Sequence, residues 1–339
     1  MITLARRFFD RDADPAVLSG KTVAVVGYGN QGRAQALNLR DSGVDVVVGN
    51  IEDAYRERAV ADGFEPVAIP DAVGRGDVVL MLIPDELQPT VFERDVDAYL
   101  KPGAALVFAS GYNVFYGLVT PSVERDIMMV APRMIGSAVR TLYAAGEGFP
   151  SFVAVHRDVS GQAMAIALAV AHGIGGLRIG ALESTFEEET VLDLYLEQVL
   201  GPGGMASLIA SFELLTEAGY DPEVVQLELY GSGEGVHIAE AKYRRGLIDS
   251  LFHESPTARF GHLKRLSTML PAIEDDKAVF RRTLGELQDG TFAKEWSATR
   301  ESGEARIRPL YDAVTKHPMF EYERRTREML FGTADGGNE

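Results

Sequence analysis

The periodicity of the chain changes once, across residues 183–204 (ESTFEEETVLDLYLEQVLGPGG), and that change limits the folds open to it. Upstream, short β-branched runs alternate with helix-like stretches, the pattern of a parallel sheet with crossover helices. Downstream, apolar residues recur at intervals of three and four and strand-like runs disappear. The expectation is an α/β dinucleotide-type domain over 1–182 and an all-helical domain over 183–331, with a polar, disordered tail at 332–339. A chain of 339 residues has room for both cores.

Residues 21–26 (KTVAVV) read as a buried strand that runs into GYGNQG, where Gly27, Gly29 and Gly32 fit G-x-G-x-x-G. A helix over 30–41 and a strand over 44–48 follow. In that setting the turn Gly27, Tyr28, Gly29, Asn30, Gln31 and Gly32 points to a dinucleotide, with the pyrophosphate at a helix N-terminus. Glu52 and Asp53 close the second strand, where a carboxylate accepts from ribose hydroxyls and repels a 2′-phosphate. NAD is therefore expected ahead of NADP.

Further strands are expected at 77–83, 104–109, 126–130, 152–156 and 177–179, with a helix over 160–172. Ligands of open parallel sheets bind outside the carboxyl ends of the strands. Asp85, Gln88, Ser110, Asn113, Arg133 and Gly136 should thus surround one crevice. His156 and His172 read as structural.

A net charge of -17 opposes nucleic acid and anionic membrane as partners. With no cysteine, disulfides and thiolate chemistry are excluded. No secretory leader and no membrane-length apolar run are evident, so a cytoplasmic protein is expected. In the second half, helices are expected at 186–200, 204–218, 222–230, 235–245, 274–288, 304–316 and 318–331, punctuated by Gly219, Pro222, Gly246, Pro256, Gly290 and Pro318. Asp193 and Glu197 stand four apart, which puts two hard oxygen ligands for Mg²⁺ on one helix face.

VAVVGYGNQGRAQALNLRDSGVDVVVG, DELQ (85–88), ESTFEEETVLDLYLEQ, EAGYDPE (217–223) and LQDGTFAKEW (287–296) together resemble the short class of ketol-acid reductoisomerases, from about residue 8 to about 330. The resemblance implies a Rossmann-type domain joined to an all-α domain that dimerises by intertwining, as a homodimer or larger homo-oligomer. It also implies two Mg²⁺ ions and a nicotinamide cofactor acting on a small hydroxy or keto acid, by an alkyl shift and a reduction. Asp193 and Glu197 then match metal ligands, and Glu228 a further one from the partner subunit. Ser255 matches the serine that contacts substrate carboxylate, and Gly29 to Gln31, Asp85 to Gln88 and Gly136 match cofactor contacts.

Three positions depart from the family pattern. Ser110 stands where the family has a histidine in A-H-G-F-N, so a group titrating near neutrality becomes a hydroxyl. Arg133 stands for a lysine and keeps its charge. Glu228 is followed four residues on by Ser232 rather than glutamate, with Glu234 as the candidate replacement if the glycines of Gly231-Ser232-Gly233-Glu234-Gly235 let the helix bulge. These departures suggest an enzyme remodelled for a 2-keto or 2,3-dihydroxy acid other than acetohydroxy acids, with Arg133 and Ser110 joining Asp193 and Glu197 in catalysis. Redox-neutral cyclisation to a cyclopropanol in a specialised pathway is one form of that expectation. The alternatives are an authentic ketol-acid reductoisomerase of branched-chain amino-acid synthesis and a non-catalytic dinucleotide-binding dimer.

Overall fold

The computed structural model describes residues 4–274, 277–298 and 303–332, so the expected tail lies outside the described residues except for Gly332. The chain forms two compact units, Met1–Asp193 and Leu194–Glu339.

In the first unit eight strands form one sheet in the order β1-β8-β7-β6-β5-β4-β2-β3. They are β1 (Arg7–Phe8), β2 (Thr22–Val26), β3 (Asp45–Gly49), β4 (Val78–Met81), β5 (Ala105–Phe108), β6 (Ile127–Pro132), β7 (Ser151–Arg157) and β8 (Ala181–Glu183). From β3 to β6 every neighbouring pair is parallel. The β6–β7 pair is antiparallel, with an irregular register between Ile127 and Met128, and β1 adds an antiparallel edge to β8. The sheet is therefore mixed at one end rather than parallel throughout.

Alternation along β2 explains its all-apolar sequence. Val23 and Val25 join one core with Leu39 and Ile174, while Ala24 and Val26 join the other with Phe92 and Phe186. A strand covered on both faces has no polar side to show. The run Leu177–Ile179 is not a strand. Leu177 is a fully buried loop residue beyond Gly175, which leaves the helix Ala163–Ile174 at φ 92°, and the strand begins only at Ala181. A short apolar run marks burial and does not by itself mark a strand.

The second unit is helical. The helix Phe186–Tyr195, which begins in the first unit and ends in the second, is followed by a π-helical turn at Leu196–Leu200 and the helix Gly201–Glu217. Gly201-Pro202 does not break this run: Pro202 falls in the first turn after the π segment. The resulting 32-residue helix Phe186–Glu217 is long and apolar enough to cross a membrane by length and composition alone, so one run of membrane length does exist in the sequence.

Pro256 starts a helix that the sequence reading places nowhere. It follows the N-cap Ser255 and opens Pro256–Ala272, and the short helix Thr291–Ser297 is a second addition. The buried core of this unit is small, built on Phe212, Val225 and Met319. By contrast Val236, Tyr243, Leu247, Phe252, Phe260 and Leu310 are all exposed. That much bare apolar surface is unusual for a lone chain in water.

Candidate functional site

At the carboxyl ends of β2, β4 and β5 lies a crevice of about 560 Å³. The glycines that shape it act in different ways. Gly27 turns at φ 94°, and a Cβ there would meet Ile83 and Leu82 at 2.5–3.0 Å. A Cβ on Gly32 would stand 2.1 Å from the Gly27 carbonyl, so Gly32 allows the helix Asn30–Asp41 to sit against the turn. Gly29, the N-cap of that helix, has open space where its Cβ would be, which leaves room for a phosphate at the helix N-terminus. Gly27, Tyr28, Gly29, Asn30, Gln31, Asp53, Asp85, Gln88 and Ser110 all reach the crevice wall.

The Tyr28 side chain is fully buried, so only its backbone serves the crevice. Its hydroxyl donates to Asp62 at 2.9 Å, and Arg33 holds the same carboxylate through two bonds of 2.6 and 2.9 Å. That arginine lowers the Asp62 carboxyl below its usual range, and burial raises the Tyr28 phenol. Gln88 is buried, and its amide donates to the Ile83 carbonyl at 3.0 Å and to Asp85 at 3.2 Å. Its Oε1 is buried without a partner. An acceptor left in that state costs about 1–3 kcal/mol, which a donor from a bound molecule would recover. Asn113 donates to Asp85 Oδ1 at 3.1 Å and stiffens the same loop.

Asp53 is the N-cap of the helix Ala54–Ala61, and its Oδ1 accepts from Tyr55 N, Arg56 N and Asn50 Nδ2. Glu52 lies outside the crevice wall and pairs with Arg56 at 3.2 Å. Arg56 also donates to the carbonyls of Asn50 and Pro66 at 2.9 and 2.8 Å. The Arg56 guanidinium is thus committed to its own loop. Gly136 is not on the wall: a Cβ there would stand 2.3 Å from the Asn30 carbonyl, so this glycine lets the helix Gly136–Ala144 pack against the turn.

Past the crevice, β5 and β6 meet the helix Phe186–Tyr195. A Cβ on Gly111 would lie 2.3 Å from the Phe186 carbonyl, so the Ser110-Gly111 segment docks directly on that helix. Gly111 N–H donates to Glu189 Oε2 at 2.7 Å. Arg133, just beyond β6, donates through Nη1 to Glu189 Oε1 at 3.0 Å and through Nη2 to Asp193 Oδ1. Its guanidinium also lies over the Phe152 ring, 5.1 Å from the centroid. Glu189 is 2% exposed, and burial pushes its carboxyl up to about 7 against the opposing pull of the Gly111 N–H. Sequence reasoning does not single out Glu189. The available signal is that Glu189, Asp193 and Glu197 repeat at four-residue spacing, one face of a helix.

Asp193 closes the first unit, and Glu197 lies in the π-helical turn Leu196–Leu200 of the second. As donors the pair suits Mg²⁺, which takes one or two carboxylates and completes its octahedron with water and substrate oxygens. Among the described residues no cluster of three histidine, aspartate or glutamate side chains forms a ready-made metal cage. Within the second unit Glu228 falls in another π-helical turn, Leu227–Gly231. After Ser232, Gly233 at φ 77° ends the turn, and Glu234 opens the helix Glu234–Arg245. The bulge expected from the glycines is a π turn followed by a break. Glu234 and Ser255 share the wall of a pocket of about 780 Å³ with His237 and His253, and Glu228 is not on it. The Ser255 hydroxyl accepts from Ala258 N at 3.2 Å as a helix cap.

A dinucleotide-type crevice in an α/β unit followed by a helical unit defines a nicotinamide-dependent oxidoreductase with a helical second domain. Residues 17–180 match the family described as acetohydroxy acid isomeroreductase, NADPH-binding domain, and residues 186–331 match the C-terminal domain of ketol-acid reductoisomerase. The chain belongs to the ketol-acid reductoisomerase family. It is 44% identical to a ketol-acid reductoisomerase (NADP⁺) of Pyrobaculum calidifontis over 97% of this chain and all of that one. It is 43% identical to a ketol-acid reductoisomerase (NADP⁺) of Methanopyrus kandleri over 96% of this chain and 99% of that one. Among solved structures, an NADH-preferring ketol-acid reductoisomerase from an uncultured archaeon superposes with a TM-score of 0.87 at 34% identity, covering 96% of this chain and 99% of that one.

Proposed function

We propose that this chain is a Mg²⁺- and nicotinamide-dependent enzyme that interconverts a 2-keto acid bearing a neighbouring hydroxyl and the corresponding 2,3-dihydroxy acid. This is the hydride-transfer half of the ketol-acid reductoisomerase reaction. The observation that carries the reading is the arrival of Asp193, on the helix Phe186–Tyr195, at the edge formed by β5 and β6, beside the cofactor crevice. When bound, Mg²⁺ polarises the 2-keto oxygen and the nicotinamide exchanges a hydride with C2. Asp193 and Glu197 hold the metal, Gln88 Oε1 accepts from the cofactor, and Arg133 keeps a fixed positive charge beside the acid.

For the carbon skeleton, the description of the matching family and the names of the relatives support the family's complete reaction on an acetohydroxy acid further than any departure from it. A second reading rests on Ser110 and Arg133, neither of which carries a proton on and off near neutrality. In that reading the alkyl shift is replaced by another reaction between oxidation and reduction, of which ring closure to a cyclopropanol is one: C3 loses its proton and displaces a leaving group from C5. The assay that separates the two supplies 2-acetolactate with Mg²⁺ and either nucleotide and identifies products by mass spectrometry.

The cofactor is proposed to be NADH. Asp53 lies on the crevice wall and Arg56 is tied to two carbonyls and to Glu52, so a 2′-phosphate meets carboxylate without a free guanidinium from this loop. Relatives carry both descriptions, NADP⁺ and NADH-preferring. Fluorescence titration should show NADH binding at least about tenfold tighter than NADPH. Tighter binding of NADPH would overturn the assignment.

The second unit is proposed to bury its apolar helix faces against a second copy of the chain, bringing Glu228 or Glu234 to the partner's site. Light scattering at micromolar concentration should give at least twice the 36.8 kDa of one chain. A particle of 36.8 kDa alone would contradict this.

A further inference from the structure

A cation already stands at the carboxylate cluster. The two contacts of Arg133 are unequal: Glu189 is 2% exposed and its second oxygen is held by Gly111, whereas the Asp193 side chain is 39% exposed. The arginine itself is anchored, because its backbone N–H donates to the Pro150 carbonyl at 2.9 Å and its guanidinium stacks on Phe152. We propose that Arg133 is a positioning residue that competes with the divalent cation for Asp193: Nη2 must leave Asp193 for the metal to enter, while Nη1 stays on Glu189.

The inference rests on the reading of Asp193 as a metal ligand. Its chemical basis is that a guanidinium does not release its proton in a protein. A lysine at this position is able to yield by deprotonating or by rotating a single point charge away. Arginine keeps its charge, and the planar fork spans both carboxylates at once. Each Arg133–Asp193 pair formed is an Asp193 withheld from metal, so the protein without substrate should bind divalent cations weakly. Glu189 is the site to which the guanidinium retreats, since among the described residues no other cation is hydrogen-bonded to its buried carboxylate.

The test is Mn²⁺ binding to the full-length oligomer without nucleotide or substrate. Free ion is counted by electron paramagnetic resonance and heat by calorimetry, with melting curves for every variant. Arg133→Met should tighten Mn²⁺ about tenfold or more, the usual effect of removing a like charge at contact distance. Arg133→Lys, which reaches one carboxylate at a time, should tighten it about threefold or more and serves as the test if the methionine variant does not fold. Unchanged or weaker Mn²⁺ binding in the folded variants overturns the proposal. Asp193→Asn separates the two levels of failure. If it binds Mn²⁺ as well as the parent, the metal-ligand reading fails with the inference; if it loses the ion while Arg133→Met matches the parent, only the competition fails.

Discussion

Asp193→Asn and Glu197→Gln should each lower turnover by about a thousandfold or more, while the melting temperature moves by no more than about 3 °C. The expected effect is large because each change would remove a charged oxygen donor from the proposed Mg²⁺ site, where a neutral amide is a poor substitute. The small structural effect follows from placement. Glu197 is exposed, and loss of the Asp193 charge leaves Arg133 paired with Glu189 at 3.0 Å. Nucleotide binding should survive as well, since neither side chain is on the wall of the cofactor crevice. Steady-state kinetics, melting curves and nucleotide titration on the same preparations check all three parts. Full activity in either variant would make this helix face a solvated surface and nothing more.

Much of the first unit was legible because burial on both sheet faces forces continuous apolar runs, and because close approach forces glycine. The strands β2 to β7 and the functions of Gly27 and Gly32 follow from those two rules. What escaped depended on tertiary partners. The strand β8 carries only three residues, Ala-Leu-Glu, and is defined by its pairing with β7 and β1. Leu177 is buried without being in a strand. Pro256 carries both meanings of proline, breaker and N1 residue, and only the Ser255 hydroxyl bonded to Ala258 N shows which applies.

The site was legible in its parts and not in its connections. Asp193, Asp85, Gln88, Ser110 and Arg133 are recoverable from strand ends and helix spacing. That Arg133 joins Glu189 to Asp193 is a fact of packing between β6 and a helix sixty residues away. Nor does the sequence show that Asp53 caps a helix, or that Arg56 is bound to its own loop.

The chain is proposed to have kept Mg²⁺-dependent hydride exchange at C2 of a 2-keto acid, whatever skeleton it works on. A substrate that bypasses the alkyl shift isolates that step. Moving the methyl group of 2-acetolactate from C2 to C3 gives 3-hydroxy-3-methyl-2-oxobutanoate, which needs only hydride and a proton to become the dihydroxy acid. Supplied with this keto acid, Mg²⁺ and NADH, the protein should form 2,3-dihydroxy-3-methylbutanoate, with activity lost on chelation of the metal and in Asp193→Asn. Matched rates on 2-acetolactate would assign the complete family reaction, and a rate about a hundredfold or more lower would assign the reading that rests on Ser110 and Arg133. No dihydroxy acid from either substrate, with either nucleotide and saturating Mg²⁺, would contradict the account.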